Sequence, residues 1–154
     1  MIRNAHIDDV EKIRELINEF AEQRRMLFRS LSDLYASLHD FMVCEEDGRV
    51  VGCCAVQIYW KDLAEVKSLA VDDKFQGKGY GRAMVRSAIK HCSDLQIPRL
   101  FTLTLEEEFF TKLGFEKVPM NSLPFKVWSD CVRCPKQDNC DEIAMVITLS
   151  RHIG

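Results

Sequence analysis

Three of the seven glycines fall within Gln76-Gly77-Lys78-Gly79-Tyr80-Gly81, with Lys74 and Arg82 close by. Glycine lets a backbone take φ > 0 and approach a ligand closely. Where such a loop opens a helix, the unpaired N–H groups of the first turn and the macrodipole form an anion site. Lys74, Lys78 and Arg82 add positive charge, so the chemistry suited here is the binding of a phosphate-bearing ligand. Two phosphate-loop spellings fail. A P-loop needs Gly-x4-Gly-Lys-Ser/Thr, and no such run occurs. A dinucleotide fingerprint needs Gly-x-Gly-x-x-Gly, but counting from Gly77 or Gly79 puts Arg82 or Met84 at the third glycine. A purely structural turn is the alternative.

A carboxylate opens the strand-like run that leads to this loop. Strict alternation over residues 63–71 puts Glu65, Lys67 and Leu69 on one side and Val66, Ser68 and Ala70 on the other. Glu65 can serve as a general base there, or be a solvated strand carboxylate. Cys131, Cys134 and Cys140 give C-x2-C-x5-C. Structural zinc usually takes four ligands, and the spacing selects no fourth, so free thiols are favoured over zinc or a disulfide and no metal is assigned. Cys44, Cys53, Cys54 and Cys92 lie in apolar or periodic stretches and read as buried thiols of a reducing compartment.

The elements that must position these groups follow from periodicity. Residues 2–5 read as a short strand. Val10, Ile13, Leu16, Ile17 and Phe20 mark an amphipathic helix behind Asp8 and Asp9, and a shorter helix opens at Ser32. Residues 41–44 and 50–56 form a hairpin about Asp47-Gly48. After the strand 63–71 and the glycine loop, a helix carries Met84, Val85, Ala88, Ile89 and Cys92 as a right-handed crossover to strand 100–105. A helix over 107–113 stops at Gly114, and strands 115–118 and 143–149 follow. Residues 119–142, with the cysteines, show no period; a connection of that length is more often functional than idle. The fold class is α/β (α+β), a mixed central sheet with flanking helices in one domain spanning 1–154.

Composition bounds the function. The 154 residues are 47% hydrophobic and 29% charged, with net charge −3, which excludes a disordered chain and argues against a nucleic-acid partner. No apolar run reaches the roughly 20 residues of a membrane span. The reading is a soluble, cytoplasmic protein.

The spelling Gln76-x-x-Gly79-x-Gly81, behind Glu65-Val66-Lys67-Ser68-Leu69-Ala70-Val71 and before an amphipathic helix, resembles the acetyl-CoA signature of the GNAT N-acetyltransferases. Phe109-Phe110-Thr111-Lys112-Leu113-Gly114-Phe115 is similar to that superfamily's helix-end motif. The resemblance implies the GNAT fold, with splayed parallel strands and acetyl-CoA as co-substrate. It implies that the backbone of Leu69, Ala70 and Val71 pairs with pantetheine, and that the loop from Gln76 through Gly77, Lys78, Gly79, Tyr80, Gly81 and Arg82 holds the diphosphate. Glu65 stands where several members place a general base, and an N–H near Leu69 or Ala70 would polarise the thioester. Phe110 stands where many members carry a tyrosine acid; Tyr59 and Tyr80 are the nearby hydroxyls, or the thiolate leaves unassisted.

A closer resemblance runs through Arg29-Ser30-x3-Leu34, Phe41, Leu69-Ala70-Val71, Leu100-Phe101-Thr102-Leu103-Thr104, Ser122-Leu123-Pro124 and the cysteine segment. It is to the acetyltransferase domain of bacterial N-acetylglutamate synthases, in a short stand-alone branch. That implies glutamate as acceptor and the first step of arginine biosynthesis. It implies that Arg29 and the backbone near Leu27 take the α-carboxylate, a task suited to a guanidinium fork. Gln57, Lys67, Thr104 and Lys126 are candidates for the rest of the amino acid. On residue type alone Arg29 is equally a solvated arginine. The long synthases add an amino-acid-kinase-like domain that binds arginine; this sequence has no such region, so inhibition by that route is not expected. A homodimer is a family-level expectation. Other outcomes are an acetyltransferase for another small amine or a protein N-terminus, and a silent CoA-binding module.

Overall fold

The computed structural model describes residues 1–22, 29–124 and 142–149. Seven strands follow the hydrogen-bonded order β1-β2-β3-β4-β5-β7-β6. They are β1 (Ile2–Asn4), β2 (Phe41–Glu46), β3 (Arg49–Trp60), β4 (Leu63–Val71), β5 (Arg99–Thr104), β6 (Glu116–Val118) and β7 (Ile143–Thr148). The helices are α1 (Val10–Glu22), α2 (Leu31–Ala36), α3 (Tyr80–Asp94) and α4 (Glu107–Lys112). β4 and β5 run parallel and the other described pairings are antiparallel, so the mixed sheet expected from the sequence is present. The chain divides into two compact units, Met1–Gln57 with Val66–Lys90 and Ile58–Glu65 with His91–Gly154.

In the first unit, α1 lays Val10, Ile13, Leu16, Ile17 and Phe20 against Phe41, Val43, Cys53, Ala55 and Ala70. The helical spacing of those apolar residues therefore does what it implied. Its entry is fixed by Asp9, whose Oδ2 and Oδ1 accept from Arg3 Nη1 at 2.7 Å and Nη2 at 3.1 Å. That guanidinium holds the Asp9 carboxyl below its ordinary range. The hairpin turns on Asp47 and Gly48, with φ of 51° and 78°, the pair of positive values a two-residue type I′ turn demands. Helix α2 begins at Leu31 rather than Ser32, because Ser30 caps it: its hydroxyl accepts the Asp33 N–H at 3.1 Å.

In the second unit, Leu63, Phe101, Leu123 and Ala144 form the core, with Tyr59, Leu103, Val118 and Val146 packed on it. β7 enters between β5 and β6, pairing six residues of β5 from Arg99↔Thr148 to Thr104↔Ile143. Helix α4 ends as expected at Gly114 (φ 100°), where the Phe115 N–H returns to the Phe110 carbonyl at 3.1 Å.

Strand β4 departs from strict alternation. Ser68 sits at φ 55°, in the left-handed region, and Glu65 and Val66 are both buried. A residue in that conformation breaks the two-residue period, so assigning Lys67 and Leu69 to one side and Ser68 and Ala70 to the other does not hold across it.

Candidate active site

The glycine loop is built as its composition requires. Gly77 and Gly79 have φ of 80° and 86°, with nothing within 4 Å of where a Cβ would stand. Conformation, not space, selects glycine there. The first rung of α3 is Ala83 N–H to Gly79 O at 3.0 Å. The N–H groups of Gly79, Tyr80, Gly81 and Arg82 therefore precede the helical ladder, the arrangement that suits a phosphate. Gly81 lies inside the first turn without a positive φ. Lys78 Nζ lies 5.0 Å from the centre of the Phe75 ring, inside cation–π range. The Gln76 amide works inside the loop: its Nε2 donates to the Val71 carbonyl and to Asp73 Oδ1, both at 3.1 Å. Gln76 thus shapes the cradle by its side chain. Replacing Gly79 with alanine is expected to weaken CoA binding about tenfold, since an L-residue there costs on the order of 1–2 kcal/mol. Calorimetric titration measures it.

Arg29 is not a solvated arginine. Its side chain is 13% exposed and bonded on three sides. Nε donates to Asp33 Oδ2 at 2.7 Å, Nη1 to Ser68 Oγ at 3.2 Å and Nη2 to Ser37 Oγ at 2.9 Å. The guanidinium carbon lies 5.1 Å from the centre of the Phe41 ring. These bonds use one hydrogen on each nitrogen, and each terminal nitrogen carries a second, which gives the donors a carboxylate needs. Nearby, Lys67 Nζ donates to Gln57 Oε1 at 2.8 Å. Asp40 adjoins Phe41; burial raises its carboxyl against the opposing pull of the Arg29, Lys67 and His39 charges. Three residues expected to hold an acceptor thus lie in the first unit: Lys67 is bonded to Gln57, and Arg29 is bonded to Ser68, the residue after Lys67. Leu69, Ala70 and Val71 follow Ser68 on β4.

In the second unit, Glu65 is a buried carboxylate at 6% exposure, not a solvated one. Its register partner on β5 is Phe101, and the Tyr59 hydroxyl donates to its Oε1 at 2.9 Å. Tyr59→Phe is expected to slow turnover three- to tenfold. Steady-state assay of thiol release measures it. Thr104 is also buried, and its Oγ1 accepts the Glu106 N–H at 2.8 Å, so the hydroxyl anchors the turn after β5.

Phe110 is a core residue, 4% exposed, packed edge-on to Phe109 and Phe115 at 5.0 and 5.1 Å. Of the two candidate acids, Tyr59 is bound to Glu65, and Tyr80 donates to Glu46, which pushes its phenol up to about 12. Burial likewise pushes Cys53 up to about 12 and Cys92 up to about 11. With Cys44 and Cys54 these are buried thiols in no disulfide, as expected. Leu27, Lys126, Cys131, Cys134 and Cys140 lie outside the described residues. Among the described residues no group of side chains could hold a metal ion, and no helix is long and apolar enough to cross a membrane. Ser68, Ser37, Asp33 and Asp40 were not anticipated. The i,i+4 spacing of Arg29 and Asp33 was the available signal for one of them.

The fold and the glycine loop define an acetyltransferase, and comparison with known proteins agrees. The acetyltransferase (GNAT) domain model matches residues 37–117, and the chain belongs to the GNAT acetyltransferase family. The chain is 40% identical over 148 residues to an uncharacterized N-acetyltransferase of Chlorobaculum tepidum, covering 96% of each. It is 35% identical over 136 residues to the amino-acid acetyltransferase of Mycobacterium tuberculosis, covering 86% of this chain and 78% of that one. Among solved structures, N-acetylglutamate synthase from Neisseria gonorrhoeae, complexed with coenzyme A and N-acetyl-glutamate, superposes with a TM-score of 0.89 at 31% identity. That match covers 98% of this chain but 35% of the synthase, so this chain spans about a third of its length.

Proposed function

We propose that the protein transfers the acetyl group of acetyl-CoA to the α-amine of an amino acid, L-glutamate, the reaction that opens arginine biosynthesis. The observation that carries this reading is Arg29, a nearly buried guanidinium held by Asp33, Ser37 and Ser68 with further hydrogens on its terminal nitrogens. Anchoring of that kind suits recognition of a planar carboxylate. The amino-acid acetyltransferase and N-acetylglutamate synthase among its relatives support the same acceptor class. Buried thiols in no disulfide suit a cytoplasmic setting.

Acetyl-CoA supplies an acetyl thioester. The N–H groups of Gly79 to Arg82, with the loop from Gln76, hold its diphosphate, and the backbone of Leu69 to Val71 pairs with its pantetheine arm. Arg29, with the backbone of Leu27, takes the α-carboxylate of the acceptor. Lys67, Gln57, Thr104 and Lys126 take the side chain. Glu65 accepts the proton that the α-ammonium must lose before its nitrogen can attack. The amine's lone pair forms the C–N bond while the C–S bond breaks with its electrons on sulfur. The amine's second proton and the thiolate then equilibrate with solvent. A thiolate is a tolerable leaving group, so Phe110 is no obstacle.

Thiol release across a panel of amino acids and peptide N-termini tests the reading. Glutamate is expected to be the best acceptor. A peptide preferred over every free amino acid would replace the acceptor class, and CoA binding without turnover of any amine would leave a silent module.

A further inference from the structure

We infer that Ser68 is a positioning residue: its hydroxyl ties the arginine that takes the acceptor's carboxylate to the peptide plane that carries the Leu69 amide. Filling the acceptor site then steadies the donor that polarises the thioester. The inference rests on the acceptor reading above.

Ser68 stands at φ 55° inside β4. An L-residue with no special preference for that region stays there only where its surroundings over-determine it, and such residues gather at functional sites. The surroundings are visible on two sides. Arg29 Nη1 donates to Ser68 Oγ at 3.2 Å. The Cys53 thiol donates to the Ser68 carbonyl at 3.5 Å. Close approach of the neighbouring strand supports the same segment, for a Cβ on Gly52 would meet the Ala70 carbonyl oxygen at 3.3 Å.

The peptide bond supplies the consequence. In a trans peptide the C=O of Ser68 and the N–H of Leu69 share one plane and point in opposite directions. Cys53 is fully buried and holds that carbonyl, so the Leu69 N–H is aimed away from the Cys53 side. Cys53 also contacts the backbone of Ala70, which leaves Leu69 as the better donor of the two that the sequence could not separate. Arg29 grips the same residue from its hydroxyl end, while Asp33 and Ser37 anchor the guanidinium to α2 and its C-terminal cap. A carboxylate drawn to Arg29 thereby restrains the residue that sets the Leu69 plane.

A bulge alone would not need the hydroxyl, because glycine takes the same φ without strain. Ser68→Gly is therefore the discriminating variant. It is expected to keep its thermal midpoint and to bind CoA within twofold of wild type, yet to lose about tenfold in kcat/KM for glutamate. With 4-aminobutyrate, which lacks the α-carboxylate, only the resting Arg29–Ser68 bond is lost, so its rate should fall no more than about threefold. Ser68→Asn, which tolerates the left-handed region and offers an amide oxygen to Arg29, should recover most of the loss. Full activity of Ser68→Gly on glutamate, or equal losses on both amines, overturns the inference. Hydrogen exchange of the Leu69 amide in CoA-free, acceptor-free protein decides the tie separately. It should quicken at least fivefold in Arg29→Ala, and an unchanged rate refutes the link. Failure of wild type to acetylate any amino acid would sink the acceptor reading, while the exchange rate would still decide the tie.

Discussion

Arg29→Ala is expected to raise the KM for glutamate more than a hundredfold while leaving the affinity for CoA within twofold. The guanidinium is 13% exposed and pre-set by three side-chain acceptors, so little ordering remains to be done when a carboxylate arrives. A hydrogen bond to a charged group contributes about 1.5–3 kcal/mol. Two such bonds to an acceptor carboxylate give at least about 3 kcal/mol, and each 1.4 kcal/mol is tenfold. Arg29→Lys keeps the charge but loses the fork, so it should fall between, nearer to alanine. Loss of the Asp33 pair itself should cost the fold little, because Asp33 is 51% exposed and water can replace its partner. Steady-state kinetics on glutamate with calorimetry on CoA separates the two effects. A KM for glutamate that does not move would remove Arg29 from the acceptor site.

What could be read from the sequence was local. The Asp47-Gly48 hairpin, the stop of α4 at Gly114 and the amphipathic stripe of α1 each depend on residues a few positions apart, and each is where it was expected. The same holds for the glycine loop, whose backbone demands single out the residue type at Gly77 and Gly79. The insertion of β7 between β5 and β6 depends on pairing partners some forty residues apart, and no local signal carries it. Ser68 shows the harder limit. Serine has no preference for the left-handed region, so nothing in the run Val66-Lys67-Ser68-Leu69 announces a break in alternation. The partners that meet it there, Arg29 and Cys53, lie 39 and 15 positions away in sequence. At the site, residue type marked Arg29, Glu65 and Lys67 but could not distinguish a buried or bonded side chain from a solvated one. Burial and partners make that distinction, and only the fold supplies them.

Glu65→Gln is expected to lower kcat by two to three orders of magnitude while leaving the protein folded. Glu65 is 6% exposed and sits where β4 pairs with β5, at the rung Glu65↔Phe101, so its backbone is held by the sheet. Glutamine fills the same volume, and its amide oxygen can still accept from the Tyr59 hydroxyl that now bonds Oε1 at 2.9 Å. What it cannot do is take a proton, and a positioned base is worth roughly 10²–10⁴ in rate. Glutamine keeps the volume and the Tyr59 bond while removing the charge. Turnover should therefore fall while the melting temperature holds. A carboxylate present only to stabilise the fold would give the reverse, a lower melting temperature with turnover intact. The pH profile offers a third reading, since the loss of rate in acid that a protonated base produces should be absent from the glutamine variant. Should Glu65→Gln keep the wild-type kcat and the wild-type acidic limb, the proton must leave the amine by another route.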